Sequence, residues 1–126
     1  MEDRKIRAAL GRHWAAADAN ELQAEHQIYR EGEVLEYPQS GERIRGWRNI
    51  QAARAAQRNR KHFAVQRIIG AGDLWLTEYI LTYDGRPPYT VSIMEFLDEK
   101  VARETQYFCD PFEPGPSRAP WVERIP

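Results

Sequence analysis

The N-terminal part of the chain repeats its apolar side chains at the interval of an α-helix. Ile6, Leu10 and Ala17 fall on one face, and the alanines between them favour the helical state. His13 or Trp14 completes that face. The pattern therefore predicts a first helix over roughly residues 4–17.

Three shorter elements are predicted before the chain changes its periodicity. Asn20 can cap a second helix, which Gly32 ends. Residues 34–37 are typical of a short strand, and Pro38 ends it because proline cannot donate a ladder hydrogen bond. A third helix is predicted over residues 47–58.

The second half of the chain is rich in β-branched and aromatic residues, with short turn segments between the apolar runs. The predicted strands cover residues 65–69, 74–83, 89–97 and 100–109. The predicted turns cover residues 70–72, 84–88 and 98–99. Consecutive strands joined by short turns form an antiparallel meander. The proline-rich segment that follows is predicted to be an extended tail, which Trp121 pins to the body.

These elements predict an α+β fold in which a curved, cone-shaped antiparallel sheet wraps around the N-terminal helices and leaves an internal pocket. The 126 residues fit a single domain over residues 1–126, with the tail at about residues 111–126.

Composition narrows the class of protein. Apolar residues make up 42% of the chain and charged residues 29%, which is typical of a soluble globular domain and predicts no membrane association. The net charge of −1 predicts no nucleic-acid partner. The seven basic and no acidic residues from Arg43 to Lys61 are assigned to a solvated helix face. Cys109 is the only cysteine, and no apolar leader is present, so we expect a cytoplasmic protein.

Several kinds of site lack their sequence signature. His13, His26, His62 and Cys109 do not have zinc-site spacing, and His26 is assigned to a helix surface. The chain contains neither a phosphate-binding glycine motif nor a nucleophile elbow. We therefore expect no metal and no cofactor.

Strand alternation predicts which side chains share a face of the sheet. If residues 84–88 form a loop, Tyr83 pairs with Tyr89, and the pairing of all later residues follows. One face then carries these side chains: Trp75, Thr77, Tyr79, Leu81, Val91, Ile93, Glu95, Leu97, Glu104, Gln106, Phe108 and Asp110. Both faces mix apolar and polar residues. We therefore expect one face to cover the pocket and the other to form a homodimer.

Four segments carry a resemblance to a known family. They are YREGEVLEYPQSGERIRG at residues 29–46, GDLWLTEY at 72–79, FLDEKVARETQYF at 96–108 and DPFEPGPSRAPWVE at 110–123. The chain resembles the SnoaL-like polyketide cyclases and the steroid isomerases of the nuclear-transport-factor-like superfamily. The resemblance implies the cone fold, but this superfamily includes cyclases, isomerases, dehydratases, epoxide hydrolases and proteins that only bind.

The resemblance also indicates which face of the sheet covers the pocket. The pocket residues in the last strand of steroid isomerases correspond to the face that carries Glu104, Gln106 and Phe108. In steroid isomerases the catalytic carboxylate, the oxyanion-hole tyrosine and the oxyanion-hole acid correspond to Tyr37, His13 and Ile93, so the same catalytic groups are not retained. The remaining acid–base candidates are His13, Tyr37, Glu104 and Asp110. The candidate ligand-binding side chains share the predicted pocket with them and are Trp14, Trp75, Tyr79, Ile93, Glu95, Gln106 and Phe108.

Two functions remain open from the sequence. One is an enzyme without a cofactor, a cyclase, isomerase or dehydratase, that performs acid–base chemistry on a small apolar ligand with a carbonyl group. The other is a non-catalytic ligand-binding or dimerisation module. Several candidates also have a purely structural interpretation: helix packing for His13, cavity lining for Tyr37, core or interface packing for Trp75 and Tyr79, pairing with arginine for Glu95 and Glu104, and a turn for Asp110.

Overall fold

The structure is a computed structural model that describes residues 2–57, 61–83 and 87–126. Its helices are α1 (Asp3–Asp18), α2 (Leu22–His26) and α3 (Trp47–Ala55), followed near the C-terminus by a 3₁₀ turn at Pro116–Arg118. Its strands are β1 (Tyr29–Tyr37), β2 (Glu42–Arg45), β3 (His62–Ala71), β4 (Leu74–Thr82), β5 (Tyr89–Leu97) and β6 (Lys100–Cys109).

Helix α1 forms as predicted and buries Ile6, Leu10 and Trp14. The second helix is shorter than predicted, because the chain turns extended at Tyr29 and Gly32 lies within β1. The predicted end of the third helix at Arg58 lies outside the described residues, and α3 ends at Ala55.

The six strands form one open sheet in the order β2-β1-β6-β5-β4-β3. The predicted antiparallel meander is present in β3 to β6. The sheet as a whole is mixed, because β1 runs parallel to β6. The short strand β2 was not predicted, since its four residues are mostly exposed and show no apolar alternation. The fold is the predicted α+β cone, with a mixed instead of a purely antiparallel sheet.

The predicted pairing of β4 with β5 was wrong by three residues. Tyr79 lies opposite Thr90 instead of Ile93. The peptide N–H of Leu81 donates to the Pro88 carbonyl at 3.1 Å, so pairing continues into the segment that was assigned to a loop. Proline lacks a donor but keeps its acceptor, which explains the error. The rest of that predicted turn, residues 84–86, lies outside the described residues.

A β-bulge in β6 makes a second shift. Glu95 pairs with Arg103 and Phe96 pairs with Val101, which leaves Ala102 as the extra residue. The β4–β5 pairing differs from the prediction by three residues and the β5–β6 pairing by one. The side chains of β5 therefore lie on the opposite face from the predicted one, whereas those of β6 lie on the predicted face. The inner face of these strands therefore carries Trp75, Thr77, Tyr79, Leu81, Thr90, Ser92, Met94, Phe96, Glu104, Gln106 and Phe108.

The C-terminal tail differs from its prediction. Trp121 is 83% exposed and does not pin the tail to the body, and Phe112 and Ile125 are exposed at 84% and 95%. In the described part of the chain, no helix has the length and apolar character that a membrane crossing requires.

Candidate functional site

A cavity of about 670 Å³ lies between the three helices and the inner face of the sheet. One part of its lining is an aromatic wall, formed by Trp14, Phe63 and Tyr79. The ring centroids of Trp14 and Tyr79 are 4.5 Å apart, and Phe63 lies 5.9 Å from Trp14 and 5.7 Å from Tyr79. Rings at these separations pack against one another, and together they give this part of the cavity an apolar surface.

The polar wall consists of His13, Glu25, Tyr29 and Arg54, all of which line the same cavity. Arg54 is its centre: the side chain is 12% exposed, and Nη1 donates to the Tyr29 hydroxyl at 2.8 Å. Its Nη2 donates to Oε1 of Glu104 at 3.0 Å, while Oε2 of Glu25 lies 3.7 Å from Nη1. The cavity therefore has a fixed positive charge in its wall, compensated from behind by a fully buried glutamate.

Glu104 and Tyr29 connect this charge to the sheet. The Tyr29 hydroxyl donates to Oε1 of Glu104 at 2.8 Å, so one carboxylate oxygen receives hydrogen bonds from both Tyr29 and Arg54. Burial raises the pKa of Tyr29 well above its ordinary value, so the hydroxyl keeps its proton. The tyrosine is thus a neutral donor held between two charged groups.

The hydrogen bonds of His13 define its tautomer. Its Nδ1 lies 2.7 Å from the Glu25 carbonyl, which can only accept, so Nδ1 carries the proton. Its Nε2 lies 3.5 Å from the Tyr29 hydroxyl. Burial, reinforced by the charge of Arg54, lowers the pKa of His13 to about 3. His13 is therefore a neutral ring that presents a lone pair at Nε2.

Two further ionisable groups line the cavity. Burial raises the pKa of the Glu25 carboxyl, and this effect exceeds the opposing influence of Arg54 and Lys61. Burial also lowers the pKa of the Lys61 ammonium group, and Arg54 adds to that effect. A carboxyl group with a raised pKa is suited to proton transfer near neutral pH.

Six of the sequence-predicted residues line the cavity: His13, Trp14, Tyr37, Tyr79, Gln106 and Phe108. The ring of Tyr37 lies 5.9 Å from that of Phe108. Gln106 Nε2 donates to the Tyr79 hydroxyl at 3.0 Å and to Ser92 Oγ at 2.9 Å. Glu104 is buried behind the polar wall and reaches the cavity only through Tyr29 and Arg54.

Four of the predicted residues lie elsewhere. Ile93 and Glu95 are on the outer face of the sheet, because the pairing of β4 with β5 differs by an odd number of residues from the prediction. Trp75 is a core residue: it is 1% exposed and donates its indole N–H to the Gly72 carbonyl at 2.9 Å. Asp110 is exposed just beyond β6 and is not part of the cavity lining.

Sequence reasoning missed three residues of the polar wall. Arg54 was assigned to a solvated basic face, yet it lies four residues after the buried Ile50 and so shares its side of α3. Glu25 lies three residues after Leu22 in α2 and likewise faces inward. Tyr29 was assigned to a helix, although its spacing from Leu35 and Tyr37 fits one face of a strand. His26 is fully buried, which corrects its assignment to a helix surface.

Across residues 2–57, 61–83 and 87–126, no group of three or more His, Cys, Asp or Glu side chains could hold a metal ion. The side chains of the polar wall themselves offer a fixed cation, a carboxyl group, a neutral imidazole and the hydroxyl group of Tyr29.

The fold and its lined cavity define the class of α+β cone proteins. The structure of an NTF-2-like protein of unknown function from Burkholderia xenovorans LB400 is 52% identical to this chain, with a TM-score of 0.93 over 100% of this chain and 99% of that one. The chain belongs to the NTF2-like family.

A second structure, of a candidate ketosteroid isomerase from Kribbella flavida DSM 17836, is 24% identical with a TM-score of 0.90, over 100% of this chain and 94% of that one. Other structures with this fold include a SnoaL-like protein of unknown function and an LEH-like epoxide hydrolase, at 16% and 20% identity. At these identities the likeness shows the fold alone.

Two sequence comparisons add little. No family model matches the chain. One of the proteins that make up the linear gramicidin synthase of Brevibacillus parabrevis is 27% identical over 121 residues, and the match covers 82% of this chain but 1% of that protein. The chain thus spans a very small part of the curated relative that it matches.

Proposed function

We propose that the cavity binds a small, mostly apolar molecule with a carbonyl or similar oxygen, and that the polar wall moves a proton on it. A cyclase, an isomerase and a dehydratase all share this chemistry. The observation that carries the proposal is the buried Arg54, held by Glu104 and Tyr29 in the wall of a cavity that also has an aromatic wall. A fixed, desolvated cation stabilises negative charge that develops on a ligand oxygen.

Separate roles follow for the side chains that face the cavity. Glu25 takes the role of the proton-transferring group, because its pKa is raised and it lies beside Arg54. His13 takes the role of a hydrogen-bond acceptor, because a pKa of about 3 makes it a weak base. Tyr37 and Lys61 line the cavity and supply further donors to the ligand oxygen.

A ligand screen with two matched variants tests whether the cavity is a binding site. Ala53 lines the cavity, so Ala53→Phe places a ring inside it, whereas Ala52 is exposed on the same helix and Ala52→Phe adds the ring outside. We expect aromatic and alicyclic ketones that raise the melting temperature of the natural chain to lose at least about tenfold in affinity with Ala53→Phe, which is about 1.4 kcal/mol. Titration calorimetry measures the affinities.

The Ala52→Phe variant should bind the same ketones with unchanged affinity. Equal affinities of both variants for every ligand found would contradict binding inside the cavity. Ketones that pass this test are then incubated with the protein in D₂O, and exchange of the C–H hydrogens next to the carbonyl is followed by NMR. Exchange above the rate without protein supports proton transfer.

One observation favours the alternative of a non-catalytic binding module. Arg54 contacts Tyr29, Glu104 and Glu25, so this residue also stabilises the fold between α3 and the rest of the protein. Ligand binding in the cavity with no exchange or turnover would support this alternative.

We also propose a homodimer through the outer face of the sheet. Apolar side chains of this face are exposed on four strands: Ile69, Leu74, Tyr89 and Tyr107 at 47%, 47%, 55% and 38%. Covering them stabilises by roughly 25 cal/mol for each Å² of apolar surface. We expect light scattering at micromolar concentration to give the mass of two chains, and Tyr107→Arg to give the mass of one. A single-chain mass for the natural protein would contradict the proposal.

A further inference from the structure

The interior of the protein contains a second buried glutamate that the polar wall does not use. Glu33 is 0% exposed, and neither of its carboxyl oxygens has a hydrogen-bond partner among the described residues. The same holds for Oε2 of Glu104, which is also 0% exposed. An ionised carboxylate without any partner is very costly away from water, which favours the protonated form of Glu33, whereas Glu104 receives hydrogen bonds from Tyr29 and Arg54 at Oε1.

The two glutamates are neighbours on the inner face. Leu35 of β1 pairs with Glu104 of β6, and Glu33 precedes Leu35 by two residues with its side chain on the same side. The charge of Glu104 acts on the Glu33 carboxyl and adds to the effect of burial in raising its pKa. A pairing irregularity between Tyr29 and Val34 bends β1 here. The pair is thus close enough for two negative charges to oppose each other strongly.

Within residues 2–57, 61–83 and 87–126, the surrounding charges do not neutralise a second carboxylate. Arg54 is the cation that faces the pair from α3, and it already contacts Glu104 and Glu25. The other ionisable groups that interact with the pair are Tyr29 and Tyr37 of β1, Glu25 and His26 of α2 and Tyr79 of β4. None of these five is a cation, since burial, reinforced by the charge of Arg54, lowers the pKa of His26 to about 4. Only one negative charge of the pair is therefore compensated.

We propose that Glu33 is a positioning residue of the cavity: it stays neutral and leaves the single negative charge of the pair on Glu104, which fixes Arg54 and Tyr29 in the polar wall. Burial, followed by the charge of Glu104, raises the pKa of Glu33 to about 9. Ionisation of Glu33 would place a second charge beside Glu104 and weaken the arrangement of the wall. The role in ligand binding rests on the proposed function, but the protonation of Glu33 does not.

The direction of the pH effect follows from the pKa values of the two states. The ordinary pKa of Glu33 is 4.5 and the folded value is about 9, so the folded chain holds this proton more tightly than the unfolded chain. The stability that it contributes is fully present below pH 4.5 and is lost as the pH rises through 9. Between these values the unfolding equilibrium constant rises about tenfold per pH unit from this group.

Urea unfolding of the full chain at a series of pH values tests the proposal. Glu33→Gln keeps the neutral shape, and Glu31→Gln changes an exposed glutamate of the same strand as the control. In the natural chain, Glu33 makes the unfolding equilibrium constant rise about tenfold per pH unit, and we expect Glu33→Gln to lose this rise. The variant should therefore be more stable than the natural chain at about pH 8. The stability of Glu31→Gln should depend on pH in the same way as that of the natural chain. If Glu33→Gln shows the same pH dependence as the natural chain, the proposal is wrong.

Infrared spectroscopy provides a second measurement that needs no stable variant. The natural chain at neutral pH should show the C=O stretch of a protonated carboxyl group shielded from exchange, and Glu33→Gln should lack it. Absence of that band in the natural chain would overturn the proposal even if the variant failed to fold. If the band is present but no ligand binds in any screen, Glu33 is protonated as proposed, and the proposed function is refuted.

Discussion

Replacing Arg54 by methionine is expected to cost about 3–5 kcal/mol of folding free energy, the range observed when one partner of a buried ion pair is removed. The side chain of Arg54 is 12% exposed and its partner Glu104 is fully buried, so the variant leaves a carboxylate in the interior without its cation. Methionine keeps much of the length of the arginine stem, and the loss is therefore electrostatic. Urea unfolding at neutral pH measures the change.

Two companion variants make this expectation specific. Arg48→Met removes an exposed arginine from the same helix and should change the free energy by no more than about 0.5 kcal/mol. The double variant Arg54→Met with Glu104→Gln removes both charges and should recover a large part of the loss, since the buried charge is gone. An Arg54→Met variant as stable as Arg48→Met would show that Arg54 is not the electrostatic centre of the wall.

Replacing Glu25 by glutamine is expected to slow proton exchange on a bound ketone by roughly 100-fold to 10 000-fold, the usual contribution of a positioned acid–base group. The carboxylate is the form that accepts a proton, and burial raises the pKa at which it appears. The natural rate should therefore rise with pH through a pKa above that of an ordinary glutamate. The Glu25→Gln rate should be low and independent of pH in the same range.

The control for this measurement is Glu21→Gln. Glu21 is exposed at the start of α2 and shares the backbone hydrogen bonding of that short helix with Glu25. Its replacement should leave the exchange rate and its pH profile unchanged. If Glu25→Gln retains the natural rate while it still binds the ketone, proton transfer has to be assigned to another group, with His13 as the next candidate to test.

Much of the architecture could be predicted because long strands carry a strong local signal. The ends of β5 and β6 and the turn between them were predicted to the residue, since alternation and turn chemistry agree there. The pairing of β4 with β5 could not be predicted in the same way. It depends on the Pro88 carbonyl, an acceptor that is invisible in a pattern of side chains.

The aromatic part of the site was easier to predict than the polar part. Trp14, Tyr79 and Phe108 line the cavity and follow simple helix or strand periodicity. Arg54 was missed because a single arginine among alanines is typical of an exposed helix face, and burial of a guanidinium requires partners from β1 and β6. Such partners are distant in sequence, so only the folded chain identifies them.

The extra residue at Ala102 has a consequence for the length of the β5–β6 hairpin. Inserting or deleting one residue between the turn and Glu104 would exchange inside for outside along the rest of β6, because successive side chains alternate. Glu104, Gln106 and Phe108 would then face solvent while the strand itself still paired. A two-residue change would preserve their direction. The odd or even number of residues between the turn and Glu104 therefore determines which side chains of β6 face the cavity.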